Sequence, residues 1–282
     1  MQLGYRTPMR RGPAPLLLAA AWLGGCGASL SSFQPAHVPE RGHVQTEAGF
    51  DLAYPVHTIG DVIDAAETIE DAAAERTLTD DEIRIIAEGG AALGMNPPAV
   101  IGHLGVAGAP LERLELGARL MSSGWRLGFR YQLLTQARHG VDLTAGFGAG
   151  TALTKPVIEE ALDSVTVDRY WRWNIDVPVA LGRHGTWYRW WVGPRLLYSR
   201  SAQELTVQLP YDVRVRGQLS GGALYLGGQG GAALGYRSIF VGPELTIVGL
   251  MGSVDVDLLG RTEPVRLDTA VVQPAFAVMG EF

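Results

Sequence analysis

The stretch Trp125-Arg126-Leu127-Gly128-Phe129-Arg130-Tyr131-Gln132-Leu133 carries an apolar or aromatic side chain at every second position. Successive side chains of a β-strand point to opposite faces. Trp125, Leu127, Phe129, Tyr131 and Leu133 therefore share one face, and Arg126, Gly128, Arg130 and Gln132 share the other. This reads as a strand with one wholly apolar side.

The same alternation recurs in both directions along the chain. Leu114, Leu116, Ala118 and Leu120 oppose Glu115, Gly117 and Arg119. Val141, Leu143 and Phe147 oppose Asp142, Thr144, Gly146, Gly148 and Gly150, and Trp171, Trp173, Ile175, Val177, Val179 and Leu181 oppose Arg172, Asn174, Asp176 and Pro178. Continued, the pattern gives ten strands, near 42–54, 99–107, 111–121, 124–135, 140–153, 168–182, 186–200, 221–236, 238–251 and 268–282. Beyond residue 26 no apolar run is long enough for a membrane helix. Alternating strands with abundant glycine point to an all-β, antiparallel up-and-down barrel over 42–282 and away from an α/β enzyme.

Alternation alone does not say which face meets water. In a soluble barrel the apolar face is the core; in a membrane barrel it meets lipid and charges pair inside. Trp125, Tyr131, Trp171, Tyr188, Trp190 and Tyr198 lie near segment ends, as aromatic girdles would. The polar faces are balanced, with Glu47, Asp51, Glu115, Asp142, Asp176, Glu244 and Glu281 against Arg119, Arg126, Arg130, Arg172, Arg189 and Arg195. Such a set pairs naturally across a narrow lumen. The gaps between strands also tend to alternate long and short, and the chain ends on Phe282.

In these respects residues 42–282 resemble bacterial outer-membrane β-barrels. The resemblance implies transmembrane β-strands, insertion by the outer-membrane assembly machinery, and a lumen charge network. That network would include Glu115, Arg119, Arg126, Arg130, Asp142, Arg172, Asp176, Arg189, Arg195 and Glu244. Pro178, Pro194, Pro243 and Pro274 depart from the pattern, because each deletes a ladder hydrogen bond; bulges or rim positions would accommodate them. The repeat of Val192-Gly193-Pro194-Arg195-Leu196 as Val241-Gly242-Pro243-Glu244-Leu245 suggests one local bend used twice. Two rival architectures stay open. One is an eight-stranded barrel starting at Leu111, with 42–107 as a separate piece. The other is a soluble periplasmic β-protein that binds an apolar ligand between the faces taken here as outward.

The N-terminus carries a different signal. Arg6, Arg10 and Arg11 precede an apolar run from Pro13 to Leu23, too short to span a bilayer as a helix. Leu23-Gly24-Gly25-Cys26 then resembles the lipobox of bacterial lipoproteins, and Cys26 is the only cysteine in the chain. The resemblance implies a signal peptide over 1–25 and a diacylglyceryl thioether plus an acyl chain, palmitate in type, at Cys26. Gly27, in place of an aspartate, favours the outer membrane. Residues 26–41 lack periodicity and read as a lipidated tether.

Residues 55–98 are an insertion of another character, with ten acids and two arginines. Val62, Ile63, Ala66, Ile69 and Ala73 have helical spacing within 61–74. Thr79-Asp80-Asp81-Glu82 starts a second helix with Ile83, Ile86, Ala87 and Gly90 on one face. This acidic helical pair is a candidate for a surface partner, although acids spread at helical spacing lack the tight loop of a calcium site.

Without the three arginines before Cys26, 20 basic residues face 29 acids. That excludes a nucleic-acid binder, which needs a basic stripe. There is no Gly-x-Ser-x-Gly elbow, His-Glu-x-x-His or phosphate loop, and Gly228-Gln229-Gly230-Gly231 lies in a strand-like stretch with no helix after it. The six histidines lack metal-ligand spacing; His103 is a lumen filler beside Glu115 or Arg119. No cofactor or metal is expected. A resemblance in strand count to omptin-like proteases is the only argument for an enzyme. The expected role is structural, surface-interacting or that of a narrow pore, its bore filled by the inward charges.

Overall fold

The computed structural model describes residues 29–56, 60, 64, 68, 79–152, 165–208, 214–258 and 260–282. Its strands are β1 (Val44–Pro55), β2 (Ala99–Leu111), β3 (Leu114–Met121), β4 (Gly124–Leu134), β5 (Asp142–Ala152), β6 (Val165–His184), β7 (Tyr188–Gln208), β8 (Arg214–Tyr236), β9 (Ile239–Leu258) and β10 (Arg261–Glu281). Helix α1 (Asp80–Met95) lies between β1 and β2, and the single turn α2 (Gln136–His139) between β4 and β5. Neighbouring strands pair antiparallel, and β1 with β10 closes the barrel. The C-terminal residue completes that seam: Phe282 and Val44 exchange two backbone hydrogen bonds, each 2.9 Å. Since β1 and β2 belong to this one ring, the eight-stranded alternative is excluded.

The chain termini of the ring, α2 and the turns at 112–113, 185–187 and 237–238 share one end, called here the terminal end. The connection carrying α1 leaves from the other, the helix end.

Around the terminal half, apolar side chains point outward and polar ones inward. Leu116, Leu120, Leu127, Phe129, Phe147, Val241, Leu245, Ile247 and Phe276 are exposed, whereas Glu115, Arg119, Arg130, Asp142, Asp176, Arg195 and Glu244 are buried inside. The faces earlier allotted to an apolar-ligand cavity are therefore the outer surface. Trp187, Tyr236 and Phe282 mark the belt's terminal rim, and Tyr54, Trp125, Trp171 and Tyr198 its helix-side rim. The belt spans Trp125–Leu133 on β4 and Ile239–Met251 on β9, roughly 20–30 Å in height for strands tilted about 40°.

Strands β6 to β10 run 20 to 23 residues, beyond the expected limits near 200, 221, 251 and 268. Past the belt their polarity inverts. Arg216, Gln218, Ser220, Ser253, Asp255, Arg266 and Asp268 are exposed on the outside. On the inside Leu219, Val254, Val256, Val265 and Val271 pack in one buried cluster with Ala87, Ala91 and Met95 of α1. The barrel thus has a high wall, β6–β10, whose upper part has an ordinary apolar core, and a low wall, β2–β5. Each large side chain buried there contributes about 1.5–3 kcal/mol.

The four prolines are neither at rims nor in register-shifting bulges. Beside Pro194 the β6–β7 pairing goes from Pro178↔Arg195 to Leu181↔Val192 and resumes in the same register. The same two-residue gap occurs beside Pro178 in β5–β6, beside Pro243 in β8–β9 and beside Pro274 in β1–β10. A carbonyl facing a proline finds no N–H, and at Pro194 and Pro243 the preceding glycine gives it room. A Cβ on Gly193 would stand 1.9 Å from the Val179 carbonyl oxygen, and one on Gly242 1.9 Å from that of Ala232. The repeated Val-Gly-Pro is thus one local device used twice.

Two expectations on the connecting segments change. The acidic insertion is not a projecting hairpin throughout, because α1 lays Ala87, Ala91 and Met95 into the mouth of the barrel. Most of the expected helix over 61–74 lies outside the described residues, although Gly60, Asp64 and Thr68 are helical. The segment expected as a free tether is also different: residues 29–38 are inside the barrel and, apart from Gln34, buried. Polar side chains of the lumen need hydrogen-bond partners, and the backbone of this aperiodic segment supplies them.

Candidate functional site

The site is the lumen itself. Each strand sends every second residue inward, so charges from adjacent strands meet at fixed registers. Glu115 and Arg130 are directly paired across β3 and β4, and they form a two-pronged ion pair, Nε to Oε1 at 2.9 Å and Nη2 to Oε2 at 2.6 Å. Asp176 lies between Arg126 at 2.6 Å and Arg195 at 2.7 Å. Arg119 pairs with Glu47. Near the terminal end Asp142 accepts from Gln132 at 2.8 Å and meets His184 Nδ1 at 2.7 Å. Arg189 donates to Glu281 at 2.5 Å and lies over the Phe240 ring. Arg172 donates to Ser199 at 2.6 Å and to the Tyr225 hydroxyl at 2.8 Å, and that hydroxyl donates to the Met95 carbonyl at 3.2 Å.

The N-terminal segment occupies what space remains. Ser29 and Ser31 donate their hydroxyls to Asp51, at 2.5 and 2.6 Å. The Leu30 N–H reaches Gln273 Oε1 at 3.1 Å. Arg119 donates to the carbonyls of Ser31 and Ser32, at 2.6 and 3.0 Å, and Arg130 to that of Pro35 at 2.6 Å. Glu244 accepts the consecutive amides of Ser32 and Phe33, at 2.6 and 3.0 Å, and Trp191 Nε1 at 2.7 Å. Two successive N–H groups aimed at one carboxylate form a concave anion cradle. It places Phe33 at a positive φ of 41°, a strain of order 1–3 kcal/mol held in place by its surroundings.

Lower down, the Val38 N–H reaches Gln132 at 3.2 Å and His37 Nε2 lies 3.0 Å from Glu281. His103 is in the lumen, 3.4 Å from Asp51 and against the Phe33 ring.

A cavity of about 50 Å³ runs between the plug and the β2–β5 wall, and a second of about 20 Å³ lies near Ser29. These are spaces for a few waters; a larger one of about 180 Å³ lies at the helix end, between α1 and the walls of β9 and β10. The Asp–His contacts Asp51–His103 and Asp142–His184 lie inside the barrel and at its terminal end. Among the described residues no group of three or more His, Cys, Asp or Glu is placed to hold a metal.

Sequence periodicity brought the wall residues together but missed their partners in the plug. The available signal was faint: Leu30 and Phe33, two apolar anchors in an otherwise small and polar run.

No protein-family model matches the chain, and no curated protein sequence matches it. Among solved structures the chain aligns with a major outer membrane protein from Thermus thermophilus, at 8% identity over 85% of this chain and 99% of that one, with a TM-score of 0.36. It aligns also with Ail, the attachment invasion locus protein of Yersinia pestis, at 8% identity over 86% and 100%, TM-score 0.29. A third is the N-terminal β-barrel domain of Pseudomonas aeruginosa OprF, at 8% identity over 86% and 98%, TM-score 0.24.

Proposed function

We propose that this chain is a lipid-anchored outer-membrane β-barrel that spans the bilayer without conducting and acts as a structural or surface-presenting protein. The observation that carries this reading is the polarity of the wall. An apolar outer belt bounded by aromatic rings encloses buried ion pairs, and the polarity reverses where the strands pass beyond the belt. A protein dissolved in water would gain nothing from exposing Leu120, Leu127, Ile247 and Phe276 together.

On this reading the terminal end faces the periplasm and the helix end the cell exterior. Cys26 then carries the lipid, and the acidic connection 55–98 is the surface offered to a partner. The filled lumen supports a closed barrel, with no catalytic role. The test has two readouts. Cells fed labelled palmitate should label the wild-type chain and not Cys26→Ser; equal labelling removes the lipid. The purified barrel should resist carbonate extraction from vesicles yet give no conductance steps in planar bilayers. Release by carbonate removes the membrane reading, and steady single-channel steps remove the closed one.

A further inference from the structure

The plug has a direction. At the terminal end, His37 meets Glu281; at the other end of the segment, Leu30 meets Gln273. These two wall residues lie on β10 about 26 Å apart along the strand. The chain from His37 back to Leu30 covers at most about 25 Å when fully extended. It therefore runs along the length of the lumen, from the terminal end toward the helix end.

Its far end sits at the rim. Leu30 belongs to the same buried cluster as Ala87, Ala91 and Met95 of α1. Ser29 shares a small cavity with Met121, Ser123 and Ala152, where β3, the β3–β4 turn and β5 reach the helix end of the low wall. Just outside that rim, Leu120 and Trp125 are exposed on the apolar belt.

We infer that the chain threads its own barrel, so that an acyl group on Cys26 enters the leaflet on the α1 side, over the low wall and opposite Phe282. This rests on the membrane-spanning, lipid-anchored reading above. Reach decides it. Two residues separate Cys26 from Ser29, three steps of at most about 11 Å of chain. The terminal rim is farther: Asp51, which holds Ser29, is seven residues up β1 from Val44, about 18 Å along the axis of a strand tilted by ~40°. A lipid on the terminal side would require Ser29 to Val38 to leave the lumen and strip Asp51, Glu244, Arg119 and Arg130 of the bonds they make with it. The inner-leaflet anchor that a free tether would allow is incompatible with the filled lumen.

The test places three epitopes in the full-length chain, one per strain: between Ala28 and Ser29, in the 209–213 connection at the helix end, and after Gly140 at the terminal end. Antibody on intact cells should reach the first two and miss the third. If the epitope before Ser29 is reached only after permeabilisation, together with the one after Gly140, threading is wrong while the barrel's orientation stands. If the 209–213 and Gly140 epitopes are reached from the same side, the membrane reading itself fails and threading falls with it. A second measurement needs no insertion. Ser31→Cys with Asp51→Cys should cross-link through a short bifunctional thiol reagent in the folded protein, because the native side chains touch at 2.6 Å and Cys26, once lipidated, has no free thiol. A folded barrel that yields no cross-link would overturn the threaded segment.

Discussion

Phe129 and Arg130 are consecutive in β4 and lie on opposite sides of the wall, Phe129 46% exposed on the apolar belt and Arg130 2% exposed in the lumen. Phe129 is directly paired with Leu116 on β3 and Phe147 on β5, both also on the outer surface. Phe129→Arg should therefore put a guanidinium into lipid near mid-belt, at a cost of about 2–4 kcal/mol. Urea titration in lipid vesicles, followed by the heat-modifiable shift of the folded band, measures it. An unchanged midpoint would mean that this face meets water.

Arg130→Glu should be worse and for a different reason. It removes both hydrogen bonds to Glu115 and the bond to the Pro35 carbonyl, and it sets two carboxylates together in a buried site. Losing one partner of a buried pair costs about 3–5 kcal/mol. Arg237→Glu, in the exposed β8–β9 turn, should stay within about 0.5 kcal/mol. Equal loss in the two variants, measured by the same titration, would show that the Glu115–Arg130 pair is not a buried one.

These two positions also show what was legible in the sequence. The two-residue period names a face for every strand residue, so Glu115, Arg130, Asp176 and Arg195 fell on one side of the wall; which of them pair is set by the register of the strands, which alternation does not give. The strand ends did not follow, because the alternation in β8 changes sense: Leu226 is exposed on the outer face, whereas Leu219 is buried on the inner one. Read with a single rule, the polar outer residues Arg216, Gln218 and Ser220 look like loop. The plug was illegible for a related reason. Ser29, Ser31 and Ser32 satisfy lumen carboxylates and arginines with hydroxyls and backbone groups, and backbone groups leave no mark on side-chain periodicity.

Removing the plug should open the barrel. Deleting residues 29–38 takes away the backbone groups that bind Arg119, Arg130 and Glu244 and the hydroxyls that bind Asp51. These charges sit on strands whose own ladders remain, and they recover solvation only if water enters. Helix α1 does not block that route, because it packs on β7 to β10 and leaves the side above the low wall to Ser29 and its neighbours. Planar bilayers should show discrete conductance steps for the deleted chain and none for the intact one. The open lumen would present seven acids, Glu47, Asp51, Glu115, Asp142, Asp176, Glu244 and Glu281, against six arginines, Arg119, Arg126, Arg130, Arg172, Arg189 and Arg195. So near a balance predicts weak preference between small cations and anions, read as a reversal potential close to zero in a salt gradient. A folded deletion variant that stays silent would mean that the remaining wall charges close the bore unaided, and the plug would then be an anchor for the N-terminus and not a seal.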